Sequence, residues 1–77
     1  MWIPPEHHKI VGSILADARK KSGVTQVEMA QRLEKPQSFV SSYEQGQRRV
    51  DILEFLRICE AMSTDPEVLF RRIYTQT

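Results

Sequence analysis

The chain is 77 residues long, 40% hydrophobic and 27% charged, with a formal net charge of +1. That length accommodates one domain with a small core, near the limit of what burial sustains without help such as dimerisation. The composition is globular rather than disordered, no apolar run is long enough to cross a bilayer, and the opening MWIPPEHHKI has no signal-peptide pattern, so the expected location is the cytoplasm.

From the N-terminus, residues 1–5 read as an extended arm, because Pro4-Pro5 cannot enter a helix interior, and residues 6–77 read as a single domain. Trp2 and Ile3 are apolar enough to pack on that domain or on a symmetry mate. The other reading is an arm in a nucleic-acid groove, although no Arg or Lys precedes Lys9. His7 and His8 are adjacent and on a helix would point about 100° apart, which does not make a metal pair. A first helix is predicted from about Glu6 to Ser22, since Ile10, Val11, Ile14, Leu15 and Ala18 recur at spacings of three and four. Arg19, Lys20 and Lys21 put positive charge in its last turn and Gly23 supplies the stop. Lys20 and Lys21 have two roles open to them, compensating the helix dipole or meeting phosphate.

Thr25 followed three residues later by Glu28 is a capping box, so a second helix should begin at Gln26. Met29, Ala30 and Leu33 give its apolar face, and Pro36 forbids continuation by pushing Lys35 out of the α region. Proline suits the first position of a new helix, which should run to a stop at Gly46. In this third helix Val40 and Tyr43 lie inward, while Gln37, Ser38, Ser41 and Ser42 leave an outward face of short hydrogen-bonding groups. A merely solvated helix usually carries Lys and Glu there, whereas Ser and Gln near a helix N-terminus suit base edges and phosphates. Phe39 has two readings: tucked into the core beside Val40, or turned outward where its ring could touch a thymine methyl.

Beyond Gly46, the loop Gln47-Arg48-Arg49 is basic, and its position next to the Ser/Gln face favours phosphate contact by at least one arginine. Asp51 with Glu54 forms a second capping box, opening a helix to about Met62 in which Ile52, Phe55, Leu56, Cys59 and Met62 should close the core. Cys59, the single cysteine, has no partner for a disulfide or zinc site, so a buried, inert thiol is expected. Ser63-Thr64 breaks this helix, and Asp65-Pro66 restarts a last one carrying Val68, Leu69, Phe70 and Ile73. The last two helices hold more apolar surface than a five-helix monomer requires. Either Phe70, Ile73 and Tyr74 form a symmetric dimer contact, or Phe70 and Tyr74 cover the domain's own core.

The stretch from Ile10 to Leu69 resembles the phage-repressor-like (Cro/repressor, XRE-type) helix-turn-helix family. The residues carrying the likeness are Gln26, Ala30, Val40, Tyr43-Glu44 and Gly46, with Arg19 upstream and Leu53 to Leu56 downstream. The resemblance implies an all-α, compact five-helix lambda-repressor-like domain, with the helix-turn-helix at helices 2 and 3. It further implies that Gln37, Ser38 and Ser42 face bases, that Gln26 and Ser41 lie nearer phosphate, and that Arg19 and Glu44 form a structural ion pair. Family members often have Gly at the turn, where this chain has Glu34. A left-handed Glu34 would cost about 1–2 kcal/mol, and the alternative is a turn reshaped around Lys35-Pro36.

These readings converge on sequence-specific binding of double-stranded DNA by a transcriptional regulator, a repressor acting as a homodimer on a palindromic operator. A protein–protein interaction module, such as an antitoxin or adaptor, is the alternative on the same fold. With no glycine-rich phosphate loop, Ser/His/Asp set or Cys/His cluster at useful spacing, no enzyme, cofactor, metal or small-molecule substrate is expected.

Overall fold

Residues 2–77 of the computed structural model form five helices: α1 (Pro5–Lys21), α2 (Gln26–Leu33), α3 (Gln37–Glu44), α4 (Ile52–Ala61) and α5 (Pro66–Gln76). These residues contain no strand. The helix starts follow local chemistry. Thr25 Oγ1 accepts the Glu28 N–H and the Glu28 carboxylate accepts the Thr25 N–H, both at 3.1 Å. Asp51 and Glu54 repeat this exchange at 2.8 and 3.0 Å, and Asp65 caps α5 ahead of Pro66.

The helix ends are equally uniform. After each of the first four helices, paired backbone bonds close the last turn: Val24 to Arg19, Lys35 to Ala30, Gln47 to Ser42 and Thr64 to Cys59, each with a shorter-range partner bond. This closure needs one left-handed residue. Gly23 (φ 74°) and Gly46 (φ 76°) supply it freely, but after α2 and α4 it falls on Glu34 (φ 56°) and Ser63 (φ 53°). The turn therefore keeps its left-handed residue despite lacking glycine, and the reshaped alternative is not adopted.

Some expected boundaries move by a residue. Pro5 is the first residue of α1 rather than the last of the arm, because a proline lacks only the N–H that a first-turn residue leaves unused. Pro4 remains extended, and Met1, included in the expected arm, lies outside the described residues. Pro36 caps α3 instead of opening it, with φ −67° and ψ 155°. Trp2 is 91% exposed and does not pack on the domain.

α1 and α2 pack on α3, α5 closes on α1, and α4 bridges α2 and α5. Ile14, Leu15, Met29, Val40, Tyr43, Ile58, Cys59, Met62 and Leu69 form the centre of the core. Ile52, expected there, is exposed at the helix start, and Ile58 occupies the core beside Cys59 instead, which completes the inward stripe Phe55, Ile58, Cys59, Met62. Polar ties fasten the outside: Arg32 donates to the Ala61 carbonyl at 2.7 Å, and Arg72 of α5 meets Asp17 of α1 at 3.3 Å.

One glycine sets how closely α1 approaches α3. A Cβ at Gly12 would lie 2.4 Å from the carbonyl oxygens of both Tyr43 and Glu44, backbone atoms that have no side-chain freedom with which to retreat. Any larger residue would therefore displace the C-terminal end of α3.

The left-handed Glu34 generates a stability prediction. Glu34→Gly should raise stability by about 1 kcal/mol by removing the Cβ clash of that conformation, although glycine's greater freedom in the unfolded chain offsets part of the gain. The expected result is a higher denaturant midpoint at unchanged slope.

Candidate nucleic-acid interface

Successive residues of α3 step by about 100°, which divides the helix into two sides. Gln37, Ser38, Ser41, Ser42 and Gln45 share one, and Phe39, Val40, Tyr43 and Glu44 the other. Val40 and Tyr43 are fully buried; Gln37 and Ser38 are exposed, and Ser41 and Ser42 half-buried. The expected base-facing trio Gln37, Ser38 and Ser42 thus lies on one accessible strip, with Ser41 between them.

The first turn of α3 differs from those of the other four helices. It has neither a side-chain cap nor an acidic residue, whereas every other helix carries a glutamate in its first turn and α2, α4 and α5 are also capped by side chains. Its leading N–H groups and the positive end of its dipole are left available to an anion.

Behind this strip lies a buried ion pair. Arg19 Nε donates to Glu44 Oε2 at 2.6 Å and its Nη2 to Oε1 at 3.1 Å, while Nη1 donates to the Val24 carbonyl at 2.9 Å. The two side chains are only 9% and 6% exposed. The bond to Glu44 holds the guanidinium's pKa above its usual value, overriding the opposing effect of burial. The pair that the resemblance implied is therefore present and desolvated.

Glu44 also accepts from Gln26 Nε2 at 2.9 Å, and Gln26 Oε1 accepts from Gln37 Nε2 at 3.3 Å. A continuous path runs from the buried pair through α2 to the exposed amide of α3. Gln26 is oriented from behind by the carboxylate, and Gln37 is oriented by Gln26.

The structure takes the inward reading of Phe39. Its ring meets Tyr43 edge-on at 5.6 Å, packs against the core and has the Arg48 guanidinium over it at 4.6 Å, so it is engaged within the protein rather than held out toward a thymine methyl. Burial pushes the neighbouring Tyr43 phenol's pKa well up, and its hydroxyl has no hydrogen-bond partner among the described residues.

The two loop arginines differ. Arg48 donates to both carboxylate oxygens of Glu54, at 2.9 and 2.6 Å, and its guanidinium lies 4.6 Å from the Phe39 ring centre. Arg48 and the Asp51 amide together hold the Glu54 carboxyl down at about 2. Arg49 is exposed, and its side chain has no partner among the described residues. Lys21 pairs with Asp17 at 3.1 Å, whereas Lys20 is exposed. On α5, Phe70 and Tyr74 are 56% and 76% exposed, while Ile73 is half-buried against the core. Phe70 and Tyr74 do not cover the domain's own centre.

Two participants were not identified from sequence. Gly12 was signalled only by a glycine inside a helical pattern, and Glu54, read as a cap, is also the partner of Arg48.

A family model described as Helix-turn-helix matches residues 15–69. No curated protein matches the chain. Among solved structures, an XRE-family like protein from Pseudomonas syringae pv. tomato str. DC3000 is 39% identical with a TM-score of 0.81, covering 94% of this chain and 88% of the other. The restriction-modification controller protein C.AhdI from Aeromonas hydrophila is 27% identical with a TM-score of 0.74, covering 80% of this chain and 94% of its own. The clp gene regulator ClgR from C. glutamicum shares the fold at 20% identity, with a TM-score of 0.84 and 92% of each chain covered.

The burial of the ion pair yields a stability test. Arg19→Ala leaves the Glu44 carboxylate without its cation and should destabilise the domain by about 3–5 kcal/mol. A loss below about 0.5 kcal/mol in chemical denaturation, the level of an exposed pair, would contradict the geometry.

Proposed function

The chain belongs to the XRE-type helix-turn-helix family, and from that premise we propose that it binds double-stranded DNA sequence-specifically and regulates transcription, as a repressor acting through a homodimer on a palindromic operator in the cytoplasm. The observation that carries this reading is the strip Gln37, Ser38, Ser42 on a helix whose first-turn amides are uncapped and whose back is fastened by a buried ion pair. A rigid support of this kind suits recognition, because groups that read base edges must already be in place when the duplex arrives.

In this reading Gln37 presents a donor and an acceptor to the N6/N7 edge of adenine, and Ser38 and Ser42 meet neighbouring base edges, to which a hydroxyl can donate or accept. Gln26, bonded to Gln37 from α2, and Ser41 meet the backbone of the duplex, and Arg49 extends toward phosphate from the loop beyond. The amides at the start of α3 supply a further phosphate contact.

A second copy would cover the exposed apolar groove between α4 and α5, lined by Ile52, Phe55, Leu56, Phe70 and Tyr74. Paired half-sites would then stand roughly 34 Å apart. Ile73, facing the core, contributes at most the floor of this contact. The rival reading, an antitoxin-like or adaptor module binding a protein, is separated by salt: duplex binding should weaken steeply as salt rises, through counterion release, and an apolar protein contact should not.

Gln37→Ala should reduce discrimination at one base pair in each half-site by about 1–3 kcal/mol, measured across single-base variants of a duplex selected from a random pool. An unchanged profile would reject the base-reading role. Phe70→Asp should shift sedimentation from dimer to monomer and lower affinity for the selected duplex. A variant that stays dimeric would place the interface elsewhere.

A further inference from the structure

The loop from Gln45 to Asp51 is held at alternate residues. A Cβ at Gly46 would fall 2.7 Å from the Lys9 Cα, so the loop lies directly against α1 there. Arg48 is bound to the start of α4, and Val50 is half-buried against the core. Gln47 and Arg49, between these anchors, are exposed.

Arg48 is satisfied within the protein. Besides the paired bonds to Glu54, its Nη1 donates to the Arg49 carbonyl at 2.7 Å, and its plane covers Phe39, whose ring is locked edge-on to Tyr43 and is also approached by Lys35 Nζ at 5.4 Å. A guanidinium matched oxygen for oxygen by a carboxylate offers little net charge to a phosphate, and reaching one would break two charge-assisted bonds and the ring contact. Glu54 is doubly committed too, since it also accepts the Asp51 N–H in the α4 capping box.

Resting on the DNA-binding reading above, we propose that Arg48 is a positioning residue rather than a phosphate ligand: clamped by Glu54 and Phe39, it fixes the α3–α4 loop against the back of the reading helix so that Arg49 and the loop amides meet the DNA backbone. This gives Glu54, an anion near the DNA-facing loop, a favourable part in binding DNA. Simple charge counting predicts the opposite sign.

The test uses Glu54→Gln, because glutamine can still accept the Asp51 amide and preserve the helix start. Affinity is measured against salt on a duplex that the wild-type protein selects from a random-sequence pool, at a temperature where melting curves show every variant folded. If Arg48 positions the loop, Glu54→Gln binds on the order of tenfold more weakly, the fold-change of one lost charge-assisted bond. Its logarithmic salt slope does not rise above the wild-type value, as it would if the released Arg48 took a phosphate of its own. Arg48→Lys, which keeps the charge but loses the fork, should weaken binding similarly, whereas Arg49→Ala should flatten the slope by about 0.9, the loss of one phosphate contact.

Unchanged or tighter binding by Glu54→Gln, or wild-type affinity in Arg48→Lys, would overturn the proposal while leaving DNA binding intact. If the wild-type protein retained no duplex even in dilute buffer, the DNA-binding reading would fail and this inference with it.

Discussion

The interaction on which the geometry of this molecule depends is the Arg19–Glu44 pair. Desolvating two charges costs several kcal/mol per ion before their attraction is counted, and here the attraction is supplemented by bonds to the Val24 carbonyl and the Gln26 amide. Glu44 lies at the C-terminal end of α3, where the helix dipole disfavours an anion. The guanidinium of α1 resolves that conflict and thereby fixes the end of α3 to α1. Gly12 makes the approach possible by leaving room for the α3 carbonyls. One helix end is thus placed by a charge pair and by the absence of a side chain together.

Placement of α3 has consequences along its length. With Val40 and Tyr43 buried and Glu44 held, the outward strip has a single orientation, and Gln26 extends the fastening to Gln37 at the exposed end. The same rigidity reaches the following loop through Phe39, whose ring meets Tyr43 edge-on and carries the Arg48 guanidinium 4.6 Å from its centre. Polar groups aimed at solvent lose less entropy on binding when their supports are fixed beforehand. A chain this short has few layers of packing with which to fix them, and it uses hydrogen bonds and stacking instead.

The molecule also retains local costs. Glu34 and Ser63 occupy left-handed backbone where glycine would be easier, and the Tyr43 hydroxyl is buried without a partner among the described residues. Each is of the order of a kcal/mol or more, a sizeable fraction of the stability of a small domain. Exposed Phe70 and Tyr74 beside the α4–α5 groove leave apolar area uncovered in the single chain.

Much of this was legible in the sequence because its causes are short-range. Capping boxes at Thr25 and Asp51, proline restarts at Pro36 and Pro66, and the polar spacing of α3 depend on residues within one or two turns of each other, so they were readable without knowing how the helices pack. The Arg19–Glu44 pair was also anticipated, though only through the family resemblance. Tertiary structure alone decided that Phe39 turns inward, that Ile58 rather than Ile52 fills the core, that Gly12 admits the end of α3, and that Arg48 is matched by Glu54 while Arg49 is not. In each of these the outcome rests on which surfaces meet across the fold, and a steric gap or an available carboxylate exists only once the helices have been brought together.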